Sequence, residues 1–319
     1  MVNKERVLKE FFELISITCS TRKEREVADV LTAKLKDLGL DVYEDKVGEK
    51  IGGNAGNLIA YLKGNTQAPT LMFSAHMDCV EPCANIKPQI RDGVIYSDGT
   101  TILGGDDKAG VVAILEAIRQ LKEQNIKHGD IQVIFTVAEE GGINGSKNMD
   151  PKDLKADFGY VLDSSGTPGE IVTMAPGQYK IITTVKGKTA HAGLAPENGL
   201  NAIMLASKAF ADISQGRIDE ETTANVGIIH GGTATNVVPD EVIVQSEARS
   251  RNADKLEAQV KKMVEHIESK ITEAGGTCDI KVNKAYNPYV LDENAPVVQI
   301  AKKAMTAIGM TPKTKGTGG

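Results

Sequence analysis

The sequence predicts an α/β fold, a mainly parallel β-sheet covered by helices, with a ferredoxin-like α+β domain inserted into it. The first observation is that amphipathic helices alternate with short, fully apolar strands in the first half of the chain, as in sheets buried on both faces. The second is that the pattern after Pro176 follows the order β-α-β-β-α-β of the ferredoxin-like motif. The third is a length of 319 residues, enough for two domains of about 150 residues each.

The first half begins with two predicted helices. Apolar residues recur at helical spacing over residues 4–15, and Thr21 and Glu24 fit a capping box that opens a second helix. A long helix and four apolar strands follow. The strands are predicted at residues 57–62, 70–75, 131–137 and 158–162, and the helix at residues 109–124.

The second half predicts a smaller domain and then a return to the first. Its strands are expected at residues 179–185, 224–229, 241–248 and 277–283, and its helices at residues 200–213 and 254–274. A last helix over residues 295–308 resembles the first domain resuming. We therefore predict a first domain of residues 1–176 and 288–319, the latter part apparently truncated, and an inserted domain of residues 177–287.

The composition excludes several classes of protein. Lys and Arg number 37 against 43 Asp and Glu, and the net charge of −6 disfavours a nucleic-acid partner because phosphate binding requires a basic face. No apolar run approaches the roughly 18 residues of a membrane helix, and the N-terminus has no signal-peptide core. The four cysteines are too scattered for a disulfide framework. We expect a reduced, cytoplasmic protein with no membrane partner.

A histidine and an aspartate follow the second predicted strand. His76 and Asp78 are two residues apart on an extended chain, so their side chains point the same way. His76 could bind a metal while Asp78 orients its ring through the other nitrogen. When the pair is taken alone, a hydrogen-bonded histidine beside a solvated aspartate is the favoured explanation.

Two pairs of adjacent acids also stand beside apolar segments. Asp106 and Asp107 precede a helix, but two adjacent aspartates cannot both cap it. One carboxylate could bridge two cations, which leaves Asp107 to the helix terminus and Lys108 to an outer ion pair. Glu139 and Glu140 follow a strand, where they repel each other unless a cation neutralises one of them. Helix capping and a solvated surface loop are the simpler alternatives.

All these acidic groups, with Asp163 after a further strand, fall at the same edge of one predicted sheet. Ligands of open α/β sheets bind at the carboxyl ends of the strands. Carboxylates with an imidazole suit zinc, cobalt or manganese. The clusters together therefore predict a two-metal hydrolase site, in which one glutamate binds a metal and its neighbour takes a proton from water.

Five segments carry a resemblance to a known family, in the same order along the chain. They are Ser74-Ala75-His76-Met77-Asp78, Gly104-Gly105-Asp106-Asp107-Lys108-Ala109-Gly110, Thr136-Val137-Ala138-Glu139-Glu140-Gly141, Asp163, and Gly187-Lys188-Thr189-Ala190-His191-Ala192-Gly193. With them the whole chain resembles the cocatalytic dizinc metallopeptidases, which include peptidase T, carboxypeptidase G and aminoacylase. The likeness is greatest to the peptidase T-like tripeptidases. The resemblance implies a zinc exopeptidase-like fold in which the inserted domain is a lid.

The resemblance implies two zinc ions, with cobalt or manganese as alternatives. His76 and Asp163 would bind one ion and Glu140 the other, with Asp106 bridging both. The family has a further histidine ligand after a Gly-rich segment near its C-terminus. This chain ends at Gly318-Gly319, where that segment would begin, so we expect the second metal to lack a ligand and the sheet to lack its final strand and helix.

The resemblance also implies roles in catalysis and substrate binding. Asp78 would orient His76, and Glu139 would be the general base. His191 would reach the scissile carbonyl oxygen, within one chain or across a dimer, although a histidine in a Gly-rich turn is the simpler explanation. Asn236 and Arg249 would contact substrate, since a planar guanidinium suits a peptide carboxylate. A surface salt bridge is the alternative for Arg249.

The resulting hypothesis is a dizinc metallo-exopeptidase that hydrolyses short peptides, tripeptides above all, by metal-activated water with a glutamate general base. It is expected to form a homodimer through the lid domain. One alternative is an N-acyl amino acid deacylase or a dipeptidase that uses the same site. Another is a non-catalytic homologue that binds peptides.

Overall fold

The structure is a computed structural model that describes residues 2–318. Its chain divides into two compact units, one up to Ser165 and the other from Gly166 onward, which we call the first unit and the second unit. Each unit has its own cluster of buried hydrophobic residues. Within residues 2–318, every helix is too short or too polar to span a lipid bilayer.

The first unit combines a β-sheet with helices that pack against it. Its helices are α1 (Lys4–Ile15), α2 (Arg25–Asp37), α3 (Val47–Ile51), α4 (Gly105–Glu123) and α5 (Asn144–Asn148). Its strands are β1 (Asp41–Glu44), β2 (Leu58–Leu62), β3 (Leu71–His76), β4 (Gln89–Arg91), β5 (Val94–Tyr96), β6 (Ile131–Thr136) and β7 (Phe158–Val161).

Five of these strands form one sheet in the order β1-β2-β6-β3-β7, and β4 pairs with β5. β3 is parallel to both β6 and β7, so the residues that follow these three strands emerge at one edge of the sheet. β1 and β2 add antiparallel ladders, so the sheet is mixed where the sequence predicted it to be mainly parallel. The predicted α/β class is confirmed.

Burial explains why the central elements form where they do. Five of the six residues of β6 are buried, as expected for a strand covered on both faces. α1 turns Phe11, Leu14 and Ile15 into the core of the first unit, and α2 contributes Val27 and Leu31. The strands that carry the predicted site residues therefore belong to a well-packed core.

The predicted capping box at the start of α2 is wrong. α2 begins at Arg25, and Glu24 at its N-cap position makes no side-chain hydrogen bond to the helix. The Thr21 hydroxyl donates to Asp78, and the Glu24 carboxylate accepts from the backbone of Ala138. The same short-range chemistry that favours a cap is used here for partners that are distant in the sequence.

The second unit is richer in strands. They are β8 (Glu170–Ala175), β9 (Gly177–Lys186), β10 (Ala190–His191), β11 (Gly216–Arg217), β12 (Thr222–Gly231), β13 (Val237–Val238), β14 (Glu241–Ser250), β15 (Thr277–Tyr286), β16 (Tyr289–Val290) and β17 (Lys313–Gly316). The helices are α6 (Ala202–Ala211), α7 (Ala253–Glu273) and α8 (Pro296–Ala307).

An antiparallel sheet with the order β11-β12-β14-β9-β15 forms the centre of the second unit. α6 and α7 pack against this sheet and against each other. With the two-residue strands β10, β11 and β13 set aside, the chain order β9-α6-β12-β14-α7-β15 is the predicted β-α-β-β-α-β motif. This confirms the expected α+β domain, and we use the name lid for the elements from β9 to β15.

A three-stranded sheet of β16, β8 and β17 lies beside the lid in the sequence but was not predicted. β17 is parallel to β8, and β16 is antiparallel to it. β17 has the sequence Lys-Thr-Lys-Gly, with no apolar residue to show a strand period. The predicted domain boundaries at residues 176 and 287 stay a prediction.

Candidate metal centre

The ends of β3, β6 and β7 and the start of α4 bring the predicted ligands together. Metal-binding atoms of His76, Asp106 and Glu140 lie within 4.8 Å of one another, and so do those of His76, Glu139 and Asp163. All four predicted metal ligands and the predicted general base therefore form one cluster in the first unit.

His76 is almost completely buried at the centre of this cluster. Its Nε2 lies 2.9 Å from Asp106 Oδ1 and 4.0 Å from Asp163 Oδ2. Its Nδ1 lies 3.0 Å from the Asp78 carbonyl oxygen and 3.4 Å from Asp78 Oδ1. A proton on Nδ1 would satisfy Asp78 and leave Nε2 facing the acidic groups, as a metal-binding histidine requires.

Asp78 connects His76 to the turn that carries the two glutamates. Its fully buried carboxylate accepts hydrogen bonds from the backbone N–H groups of Glu139 (2.9 Å) and Glu140 (3.2 Å) and from the Thr21 hydroxyl (2.8 Å). Burial alone would raise the pKa of Asp78, but the hydrogen bonds from His76, Glu139 and Thr21 lower it below its usual value. Asp78 is therefore an anion that holds the His76 ring on one side and the backbone of Glu139 and Glu140 on the other.

The start of α4 separates the roles of the two adjacent aspartates. Asp106 and Asp107 have non-helical dihedral angles, and Asp106 is exposed toward the cluster of acids. Asp107 is buried, and its Oδ1 accepts from the Gly110 N–H at 3.1 Å, which places it at the helix terminus as predicted. A Cβ atom at Gly110 would lie 2.4 Å from Asp107 Oδ1, so only glycine fits there.

The predicted outer ion pair of Lys108 is wrong. Its side chain is fully buried, and its ammonium group donates to the Met77 carbonyl oxygen and lies 3.4 Å from Cys79 Sγ. A buried carbonyl requires a donor, and the first regular turn of α4 carries Lys108 inward to supply one.

The cluster holds more negative charge than the chain itself neutralises. Burial is the largest cause that raises the pKa of Glu139 to about 7; the charges of Asp163 and Glu140 act in the same direction, and His76 opposes them. Burial also raises the pKa of Glu140 and of Asp163. Burial would lower the pKa of His76, but Asp78 and Asp163 raise it to about 10. Oxygen and imidazole donors in such a field fit a divalent cation.

The other predicted site residues lie in the second unit. His191 is exposed, and its Nδ1 accepts hydrogen bonds from the N–H groups of Gly193 and Leu194, both at 3.2 Å. The ring therefore carries its proton on Nε2 when it is neutral. The Ala192 N–H donates to the Asn236 carbonyl oxygen at 2.9 Å, so His191 and Asn236 are near neighbours on one exposed surface.

Arg249 on β14 forms the salt bridge that was its simpler explanation. Its Nε donates to Glu247 Oε1 at 2.9 Å, and its Nη2 donates to Glu247 Oε2 at 3.3 Å. The guanidinium is thus oriented by Glu247 on the same strand. Contact of Arg249 with substrate stays a prediction.

Sequence reasoning missed the roles of Thr21 and Glu24. Thr21 donates to Asp78, and Glu24 accepts from the backbone of Ala138, next to Glu139. Their Thr-x-x-Glu spacing was visible, but it is also the signature of a helix cap. One signal could have distinguished the two. The residue before Thr21 is not apolar, so the hydrophobic contact that often accompanies a capping box is missing.

Comparison with known proteins identifies the family. The sequence model of the peptidase family M20/M25/M40 matches residues 72–319. The chain belongs to the M20 peptidase family. It is therefore a peptide hydrolase of a metal-dependent family, and the predicted resemblance is confirmed.

Similar proteins agree with this assignment of the M20 peptidase. The aminopeptidase PepT from Bacillus cereus has a TM-score of 0.90 and 49% identity, with 100% of this chain and 86% of that one covered. A tripeptidase from Staphylococcus aureus has a TM-score of 0.95 and 42% identity over the same shares. Peptidase T from Clostridium novyi is 29% identical over 92% of this chain and 79% of its own length.

Proposed function

We propose that this M20 peptidase is a dizinc aminotripeptidase that acts on short peptides with a free N-terminus. The observation that carries this proposal is a cluster of two groups that share His76, one with Asp106 and Glu140 and the other with Glu139 and Asp163. The names of the similar proteins from Bacillus cereus and Staphylococcus aureus support the substrate class. Bound zinc, or cobalt or manganese, would polarise the peptide carbonyl and lower the pKa of water to about 7.

Glu139 is proposed as the proton carrier. Its carboxyl has a pKa near 7, because it is partly buried among other acids, so it exchanges protons readily at neutral pH. It can take a proton from the attacking water and return it to the leaving amine. Asp78 holds the backbone N–H of Glu139 and so keeps this carboxylate at the cluster.

The residues of the lid are proposed to bind the substrate. His191 offers an Nε2–H donor for a carbonyl oxygen, and Asn236 offers an amide on the same surface. Arg249 offers a guanidinium that Glu247 orients, suited to a peptide carboxylate.

We also infer a homodimer formed through the lid. The scattered cysteines of the sequence support a cytoplasmic location.

The test is a comparison of Glu139→Gln with Glu26→Gln, a matched change at an exposed position of α2. We expect Glu139→Gln to keep its metal content and lose about 10²–10⁴-fold in kcat on tripeptides, the usual contribution of a general base. Glu26→Gln should match the wild type. A Glu139→Gln enzyme with a tenth or more of wild-type kcat contradicts the assigned role.

The substrate class is tested with a panel of tripeptides, dipeptides and N-acyl amino acids. We expect the highest kcat/KM on tripeptides with a free amine. Faster turnover of dipeptides or acylated amino acids would make the chain a dipeptidase or a deacylase on the same site. Metal binding without turnover of any member would leave a peptide-binding homologue.

A further inference from the structure

The turn that carries Glu139 and Glu140 begins with an unfavourable backbone conformation. Ala138 has a φ of +50°, in the left-handed region that residues with a Cβ atom rarely adopt. Ala138 directly precedes Glu139, so its conformation decides where the Glu139 side chain lies. Such a conformation persists only where surrounding contacts hold it.

Glu24 supplies one of these contacts. Its side chain is completely buried, and its Oε1 accepts hydrogen bonds from the N–H of Ala138 at 3.0 Å and the N–H of Arg22 at 2.7 Å. Arg22 also has a positive φ, of +71°. One carboxylate oxygen therefore joins two left-handed residues that are far apart in the sequence.

Thr21 supports the same turn from its other end. Its hydroxyl donates to Asp78 Oδ2 at 2.8 Å, and the Asp78 carboxylate in turn accepts the N–H groups of Glu139 and Glu140. Its methyl group faces Gly141, where an added Cβ would lie 2.9 Å from Thr21 Cγ2. Thr21 thus fixes both the carboxylate and the backbone that follows Glu140.

Among the described residues, neither the Thr21 nor the Glu24 side chain makes a further hydrogen bond. Glu24 makes no side-chain cap bond to α2, although it stands at the N-cap position. Lys23, which lies between them in the sequence, is exposed. Thr21 and Glu24 therefore contact the glutamate turn and its partner Asp78, whereas Arg22 and Lys23 between them are exposed.

We infer that Thr21 and Glu24 are positioning residues for Glu139, which hold the turn of residues 138–141 in the conformation needed for proton transfer. This inference rests on the proposed function of Glu139 as the general base. Among the described hydrogen bonds, the side chains of Thr21 and Glu24 reach none of the four predicted metal ligands. Their loss should therefore lower kcat and leave KM and metal content unchanged.

The experiment uses pairs of variants at each position. Thr21→Val removes the hydroxyl and keeps the methyl group, whereas Thr21→Ser keeps the hydroxyl. Glu24→Leu removes both accepted hydrogen bonds, whereas Glu24→Gln keeps an accepting oxygen. Lys23→Ala is the control within the segment.

We expect Thr21→Val and Glu24→Leu to lower kcat about tenfold, in the range for residues that orient a site from behind. KM should stay within about twofold, and metal content should equal that of the wild type. Thr21→Ser, Glu24→Gln and Lys23→Ala should retain wild-type kcat. Circular dichroism checks the fold, and Thr21→Val keeps the inference testable where Glu24→Leu fails to fold.

Three outcomes overturn the inference: wild-type kcat in Thr21→Val, a Thr21→Ser enzyme as impaired as Thr21→Val, or a loss that arises through metal content or KM. Glu139→Gln is measured beside these variants to separate the two proposals. An active Glu139→Gln enzyme refutes the proposed function itself. An inactive Glu139→Gln with a fully active Thr21→Val refutes the positioning role alone.

Discussion

The two units hold their predicted site residues in opposite ways. In the first unit, parallel strand ends and a helix start bring His76, Asp106, Glu140 and Asp163 into one cluster, where burial raises the pKa of Glu140 and of Asp163. In the second unit, the His191 side chain is exposed, and its described hydrogen bonds are to the nearby N–H groups of Gly193 and Leu194. The difference shows that sheet topology can bring possible metal-binding side chains together, whereas the exposed position of His191 does not by itself indicate a role.

The largest expected effect lies in the crowded cluster. Asp106→Asn removes the carboxylate nearest to His76 Nε2, so we expect a loss of bound metal and a fall in kcat of about 1,000-fold or more, since a metal supplies several kcal/mol to the transition state. Metal analysis and tripeptide turnover measure both. Asp92→Asn, at an exposed turn, is the control. Full metal content with full activity in Asp106→Asn would remove the bridging role.

The same contrast marks what the sequence could predict. Apolar strands that end in acids locate His76 and Asp163 because strand direction and sheet edge follow from the pattern. Thr21 and Glu24 were assigned to a cap because their partners, Asp78 and Ala138, lie 57 and 114 residues away. A local sequence pattern cannot predict contacts between residues so far apart in the chain.

The burial of Lys108 could not be predicted from the sequence either. Lys108 follows two aspartates, and this arrangement predicts an exposed ion pair from charge alone. In the structure Lys108 is buried, and its ammonium group donates to the Met77 carbonyl oxygen. Side-chain burial at the start of a helix depends on the tertiary neighbour, which the sequence pattern does not contain.

A smaller effect is expected at the exposed histidine of the lid. His191→Ala should lower kcat about 100-fold, as the loss of one donor to a developing oxyanion does, while metal content stays unchanged. The two measurements together separate this variant from Asp106→Asn, which loses both. His128→Ala, in a loop of the first unit, is the control. A His191→Ala enzyme with wild-type kcat would make the Gly-rich turn its sole role.

The smallest effect on turnover is expected from the lid surface proposed to form the dimer. β11 pairs with β12 only at Thr223 and Ala224, so among the described residues the outer edge of β12 from Asn225 onward has no neighbouring strand. Ile228 and Ile229 are 44% and 54% exposed on this strand. An exposed apolar edge is suited to pairing with a second copy about a twofold axis.

Ile229→Glu should therefore weaken the dimer about tenfold or more, because a buried glutamate is costly to desolvate, and sedimentation velocity measures the shift to monomer. Val282→Glu is the matched control, since Val282 is 40% exposed on β15 at the opposite edge of the same sheet. We expect kcat to change less than in His191→Ala. A monomeric Ile229→Glu as impaired as His191→Ala would mean that His191 serves the site of the other subunit. A dimer built on β12 would be contradicted if both variants dissociated equally, or if both remained dimers. The two edges present similar apolar residues, so a difference between the variants reports which edge forms the interface.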